Sequence, residues 1–500
     1  MSKQDKKELR QQIACEWLEE NYLQFGSLRH DVVTDRLQIR VADLHSLEDG
    51  SAYSLEFRGK ENWRNLTDKD INTMVCQCVM EKGVNISTNE MWTALKSDMV
   101  PAVHPLRAWL DELRPYTADQ PDWIDMVAKQ VHVKNNNVEC GINKDNLNNL
   151  CARPTLALAK EDISPLSQQQ SVSSPLSNVG EAEELSMLSS EQTPPLSLQD
   201  SPAERLWRVC FKKWFVAMVA SWMKDEVVNH TVLVLVGRQG IFKTTWLDNL
   251  IPPELRAYSS KLPLSGQISK DDRLRLCENG MLNIDELDAM CGREMNIVKS
   301  LLTSTDVNER AAYGRLKERR VRLASFCAST NKREFLTDIT GNRRWLPFEV
   351  ESIQNPFHTI IPYERLYAQA KALVEEGIFS YWFDMEEMNM LEAHNEDFRA
   401  LENEEELLKV YFSVPASDSM NAKFLTTAEI SEKLISAGNI KRPMSLSRLG
   451  MILGQHGFIA SRQGTPARRG WIVYERDSEE INAERKLLSK TAIASTDSVY

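Results

Sequence analysis

Five hundred residues, 42% of them hydrophobic and 26% charged, are enough for roughly two to four domains with a substantial core. A net charge of -12 and a pI near 5.4 exclude a global field that attracts nucleic acid, so any such contact needs a local basic surface. Nine scattered cysteines and eight unclustered histidines argue against a structural metal and for a reducing cytoplasm; the start MSKQDKKELR has no apolar signal core, and no membrane span is expected.

Residues 1–133 read as a mainly helical module. Lys6 to Asn21 is amphipathic, with Leu9, Ile13, Trp17 and Leu18 on one side. Val32 to Val41 is a candidate strand. Thr67-x-x-Asp70 resembles an N-cap before the stripe Ile71, Met74, Val75 and Val79, and Ser87 or Thr88 opens a helix carrying Met91, Trp92 and Leu95. Further helices are predicted over His104–Leu113 and Trp123–Val131. The module suits DNA engagement, ring assembly or a plain lid. It has no paired-carboxylate strands or zinc-binding cysteines of a primase, so a primase would be a separate partner, if one is needed.

Residues 134–203 form a polar linker. Within it, positions 162–203 are rich in Ser, Gln, Pro and Glu and have no aromatic residue, a composition that cannot offset chain entropy. Order resumes at Glu204. Trp207, Cys210, Phe211, Trp214, Phe215, Met218, Val219 and Trp222 recur at helical spacing, a pattern that fits a core face better than a base-stacking surface.

The next stretch, HTVLVLVGRQGIFKTT, organises the chain. Val232 to Val236 predict a short buried strand that enters a turn containing Gly237, Gln239 and Gly240. Lys243-Thr244-Thr245 then begins a helix. Strand, tight loop and helix start is the context of a phosphate-binding loop, in which Lys243 reaches the β- and γ-phosphates and the Thr244 hydroxyl holds Mg²⁺. The usual pattern is G-x-x-x-x-G-K-[ST], and Phe242 stands where glycine is usual. An ordinary strand-to-helix connection is the plainer alternative.

Asp285 follows Lys243 by 42 residues in MLNIDELDAM. The strand Met281–Ile284 delivers Asp285 and Glu286 at its C-terminal edge, where ligands of open α/β sheets sit. Asp285 suits the hydrated magnesium shell and Glu286 the attacking water; a solvated turn is the alternative. A strand near Val321–Ala328 leads to Asn331, whose amide suits γ-phosphate sensing, and Arg343 and Arg344 then lie beside Gly341 as candidates for an arginine finger. Arg315, Lys317, Arg319, Arg320 and Arg322 suit either phosphate contact or an intersubunit salt-bridge surface.

The strings FKKWFVAMVASWMKDEVVNHTVLVLVGRQGIFKTTW, MLNIDELDAM, LLTSTDVNERAAYGR and FCASTNKREFLTDITGNRRWLPFEV resemble the virulence-associated protein E family of phages and mobile elements. That family is related to superfamily 3 and D5-type helicases. The resemblance spans roughly residues 204–350. It implies an α/β P-loop ATPase core of AAA+ type over 204–355, binding ATP and Mg²⁺ through Gly237, Gln239, Gly240, Lys243, Thr244, Thr245 and Asp285. Glu286 and Asn331 would have catalytic roles, and Arg343 or Arg344 would act in trans. It also implies a homo-oligomeric, hexameric ring acting on single-stranded or forked DNA, with a DNA-contacting hairpin near Arg310–Arg322.

Beyond the core, residues 356–419 read as a helical, acidic connector and 477–500 as a flexible tail. Residues 420–476 give the outline of a winged helix: a capping box at Thr426-x-x-Glu429, a helix over Ser445–Leu453, and strands Phe458–Arg462 and Gly470–Tyr474 around a basic turn. Nine Lys or Arg against three Glu over positions 421–476 make it the one segment whose local charge favours phosphate. The leading expectation is therefore an ATP-dependent helicase or translocase. A switch or loader without unwinding, and a non-hydrolysing DNA-binding scaffold with a loop spoiled by Phe242, are the alternatives.

Overall fold

The computed structural model describes residues 3–41, 62–135, 200–262, 269–285, 287, 292–309, 318–336, 342–400, 403–415, 422–438, 440, 443–463 and 467–486. Most of the polar stretch 134–203, Glu286, the hairpin tip at 310–317 and positions 487–500 lie outside the described residues.

The N-terminal unit contains α1 (Lys3–Asn21), β1 (Leu28–Asp31), β2 (Arg36–Val41), β3 (Asn62–Asn65), α2 (Asp68–Lys82), α3 (Thr88–Leu95) and β4 (Ala102–Val103). Its strands form a sheet in the order β3-β2-β1-β4, so the unit is mixed α/β and not the mainly helical module expected. The sequences LRHD and NWRN hide this sheet because their side chains are largely polar. Asp35 takes a left-handed conformation (φ 56°), which breaks the expected Val32–Val41 strand into a turn followed by β2. Capping boxes at Thr67/Asp70 and Ser87/Glu90 begin α2 and α3, and Trp17, Leu18, Ile71, Met74, Met91 and Leu95 fill the core between them.

The helices α4 (Pro105–Asp111) and α5 (Trp123–Ala128) and the strand β5 (Val131–Val133) belong elsewhere. Leu106, Leu110, Trp123, Ile124 and Val127 pack with Trp207, Phe211 and Phe348 in the central core, so the boundary drawn at residue 133 falls too late. The physical reason is burial: these short helices have apolar faces that only the larger core can cover.

The central unit adds α6 (Pro202–Met223), β6 (Val232–Val236), α7 (Lys243–Asp248), β7 (Ser259–Lys261), α8 (Lys270–Glu278), β8 (Met281–Ile284), α9 (Gly292–Thr303), β9 (Asp306–Glu309), β10 (Glu318–Val321), β11 (Ser325–Thr330) and β12 (Trp345–Ile353). Among the described residues its sheet runs β5-β12-β6-β11-β8-β7, parallel except for β5, which is antiparallel to β12. Strand β6 is apolar on both faces because both are covered: Leu233 and Leu235 face the cluster built on α6, while Val232, Val234 and Val236 face the one built on α8 and α9. The Ser201/Glu204 capping box and Pro202 start α6, and Phe211, Trp214, Phe215 and Trp222 are fully buried along it. Each such burial contributes about 1.5–3 kcal/mol. Their indoles are also satisfied: Trp214 Nε1 donates to Phe326 O (3.0 Å) and Trp222 Nε1 to Gly280 O (3.1 Å). The aromatic stripe is core.

After β12 come α10 (Tyr363–Glu376) and α11 (Met385–Asn395), then α12 (Asn403–Tyr411) with β13 (Phe412–Ser413). The acidic connector expected here is not a solvated linker. Leu366, Tyr367, Leu373 and Leu391 join the central core, and Glu387 pairs with buried Lys213. Glu405 is buried against Arg399 (2.5 Å) and His456 (2.8 Å). Burial works to raise the Glu405 pKa, and the hydrogen bonds from His456 and Arg399 outweigh it, holding the carboxyl below its usual range. The last unit comprises β14 (Lys423–Leu425), α13 (Thr427–Gly438), α14 (Leu446–Gln455), β15 (Ile459–Gln463) and β16 (Arg468–Glu475). Strand β16 pairs antiparallel with β13, β14 and β15 beneath the two helices.

Candidate functional site

The parallel register brings distant sequence together. Val236 pairs with Thr330 and Ile284 with Ala328, so Gly237, Asn331 and Asp285 all emerge at the C-terminal edge of the sheet. Gly237 N–H donates to Thr330 O (3.1 Å), which fixes the start of the turn. Phe242 then caps α7 in a left-handed conformation, φ 67° and ψ 17°. The backbone there adopts the shape that glycine supplies freely, and Phe242 bears the strain of a side chain in that region. Its ring meets Phe357 edge-on at 6.2 Å.

Lys243 is buried beneath the turn. Its Nζ donates to Gly237 O and Arg238 O, both at 2.6 Å, and to Asn331 Oδ1 at 3.1 Å. Next to it, Thr244 Oγ1 donates to Asp285 Oδ1 (3.1 Å) and contacts Ser329 Oγ (3.0 Å); Ser329 Oγ also donates to Asp285 Oδ1 (3.0 Å). Lys261 on β7 reaches Asp285 Oδ2 at 2.7 Å. Burial works to raise the Asp285 pKa, and the hydrogen bonds from Lys261, Ser329 and Thr244 outweigh it, holding the carboxyl below its usual range. The result is a cation under a turn of backbone, beside an ionised carboxylate and two hydroxyls.

Lys243, Thr244, Asp285 and Asn331 thus share one site, with Gly237 at its entrance. Gln239 and Gly240 sit on the exposed crest of the turn and Thr245 is half-buried in the first turn of α7. Glu286 lies outside the described residues. Arg343, exposed, and Arg344, half-buried, occupy a short 3-10 turn (Asn342–Arg344) away from the Lys243 hydrogen bonds. Ser329 and Lys261 are additions that the sequence did not flag. A serine inside a strand carries no motif, and only the register beside Asp285 gives it a role.

The basic cluster after α9 resolves differently. Strands β9 and β10 pair antiparallel around the undescribed tip 310–317. Arg322 does not face outward: it is fully buried, donating to Leu302 O (2.8 Å), Asn229 O (2.8 Å) and Leu301 O (3.1 Å), and burial pushes its pKa down to about 9. Arg320 bonds Glu278 (3.2 Å) and the Val33 carbonyl, and Arg319 pairs with Asp306. These three arginines hold the hairpin base in place.

No curated protein matches the chain. Two solved apo structures of the NrS-1 C-terminal region (305–718) are similar at 9% and 10% identity, each covering 90% of this chain and 96% of that one, with TM-scores of 0.33 and 0.34, values that carry no argument. Residues 197–400 match the model described as Virulence-associated protein E-like domain. That span includes α6, the Lys243 turn, Asp285, Asn331 and both candidate arginines. The chain carries a virulence-associated protein E-like domain across residues 197–400.

Proposed function

We propose that this domain is a P-loop ATPase of AAA+ type that works as a DNA motor in the replication of a phage or other mobile element. The observation carrying the reading is the Lys243 ammonium, held 2.6 Å from two carbonyls of its own turn and 3.1 Å from Asn331, beside the Thr244–Ser329–Asp285 cluster. A cation so placed trades those carbonyls for phosphate oxygens when a triphosphate enters the turn.

The donor set fits magnesium, a hard cation that takes few protein oxygens and keeps phosphates and waters. Thr244 Oγ1 and Asp285 would hold the hydrated ion, which supplies charge neutralisation across the β- and γ-phosphates. Lys261 then has to leave Asp285 Oδ2, coupling β7 to nucleotide entry. Hydrolysis breaks the bond from the γ-phosphorus to the bridging oxygen as a water oxygen bonds from the opposite side. In this reading Asn331 orients that water, Glu286 takes its proton, and ADP departs with the bridging oxygen.

Exposed Arg343, with Arg344 beside it, supplies the neighbouring subunit's finger in a homo-oligomeric, six-membered ring. DNA contact falls to the β9–β10 hairpin and to the last unit, whose β15–β16 ribbon displays exposed Arg462, Arg468 and Arg469. The test is magnesium-dependent ATP turnover, with and without single-stranded and forked DNA, beside Lys243→Ala and Asp285→Asn. Turnover that rises with DNA and disappears in both variants is the expected result. A folded protein without turnover in any condition overturns the reading.

A further inference from the structure

Phe357 is 75% exposed. It sits in the turn between β12 and α10, and that turn is fixed. Asn355 Oδ1 accepts the Phe357 N–H (3.0 Å), while Asn355 O accepts the N–H groups of His358 and Thr359, both at 3.0 Å. The ring therefore stands on a closed loop of hydrogen bonds.

The turn is also tied to the phosphate-binding loop. Tyr363 Oη donates to Asn249 O (2.6 Å) and Tyr367 Oη to Leu250 O (3.0 Å), both just beyond α7. At the other side, Gly237 lies against Val350 O of β12. Phe242, the residue before Lys243, contacts Phe357 with centroids 6.2 Å apart and planes at 83°. The two rings meet edge to face, and the exposed part of Phe357 lies beside the Lys243 turn.

We propose that Phe357 is the nucleobase-stacking residue of this site, taking the base of a nucleoside triphosphate whose phosphates rest on the Lys243 turn. The inference rests on the phosphate-binding reading of that turn. Stacking uses the π-face, which every base has, so Phe357 favours purines for their larger face and does not discriminate strongly between adenine and guanine. Phe242 is then a positioning residue: its left-handed backbone delivers the ring that props Phe357.

Calorimetric titration separates the base from the phosphates. Wild type, Phe357→Ala, Phe357→Trp and Lys243→Ala are each titrated with ATP, GTP and inorganic tripolyphosphate in magnesium buffer. Phe357→Ala is expected to weaken ATP and GTP about 10-fold while leaving tripolyphosphate unchanged, and Phe357→Trp to retain the wild-type affinities. Unchanged ATP binding in Phe357→Ala, or equal loss for ATP and tripolyphosphate, overturns the stacking role; equal loss with a change in sedimentation assigns the ring to a subunit contact instead. Failure of the phosphate-loop reading looks different: tripolyphosphate then fails to bind wild type, or binds Lys243→Ala as well as wild type, and the proposal falls with it.

Discussion

Gly237 is packed closely against Val350: a Cβ placed on Gly237 would stand 2.9 Å from Val350 O and 3.1 Å from Ile241 Cδ1. The first of these is backbone of the neighbouring strand and cannot swing aside. Gly237→Ala is expected to cost about 1–3 kcal/mol and to shift the turn enough to reduce ATP turnover. Urea denaturation and turnover measured on the same preparation check both; wild-type values in each would show that the turn has room the geometry denies.

At position 242 the relevant quantity is backbone strain. A β-branched residue tolerates the left-handed region least, so Phe242→Val is expected to lower the melting temperature clearly. Phe242→Gly relieves about 1 kcal/mol and forfeits the contact with Phe357, leaving the melting temperature nearly unchanged. A thermal melt in which valine and glycine behave alike would remove strain as the governing factor.

Ser329 acts through Asp285. Ser329→Ala removes one donor from Oδ1 and a contact with Thr244, while leaving Thr244 Oγ1 and the Asp285 carboxylate, the oxygens proposed to hold magnesium, in place. The magnesium concentration for half-maximal turnover is expected to rise about 10-fold with little change at saturation. A magnesium titration superimposable on wild type would assign Ser329 to packing alone.

Lys213 Nζ and Glu387 Oε1 lie 2.6 Å apart with side chains 7% and 3% exposed, joining α6 to α11. Glu387→Ala strands an ammonium whose other acceptor is Trp382 O, at an expected cost of about 3–5 kcal/mol. The double variant Lys213→Met/Glu387→Leu is expected to recover most of that loss. Chemical denaturation of all three proteins decides; a double variant as unstable as the single would mean that the pair contributes net stability.

His104 gives the fold an acid limit. Burial first, then the charge of Arg107, pushes its pKa down to about 4 from 6.5. Neutral Nδ1 accepts the Arg107 N–H at 3.3 Å and caps α4, a bond that protonation removes. Between pH 6.5 and about 4 the unfolded chain binds a proton that the folded one refuses, so stability is full above 6.5 and declines as pH falls through that window. His104→Asn keeps a capping acceptor and is expected to flatten the decline, read from denaturation midpoints at pH 7.5 and 5.

The sequence carries the site better than it carries the framework. Lys243 and Thr244 were legible as the start of a helix after a glycine turn, and Asp285 and Asn331 as polar residues just past strand ends. Ser329 and Lys261 were not, since their relevance arises only from register across β11, β8 and β7. The polar strands β1 and β3 lacked the alternation that marks a sheet. Arg322 looked like a surface cation because composition cannot reveal five carbonyl oxygens converging on it. Buried Glu387 was hidden because Lys213 is 174 residues away, and Glu405 because one of its two partners, His456, is 51 residues away.

The antiparallel addition of β5 beside β12 means that the core is assembled from two separate lengths of chain. Trp207 Nε1 donates to Ala128 O (2.9 Å), Trp246 Nε1 to Gln130 Oε1 (2.9 Å), and Arg208 pairs with Asp125, all across the 134–203 excursion. These contacts tie residues 125–130 to α6 and α7 directly. Residues 1–135 and 200–500 expressed as separate polypeptides are therefore expected to complement each other, which would make their assembly a switch for the site at Lys243.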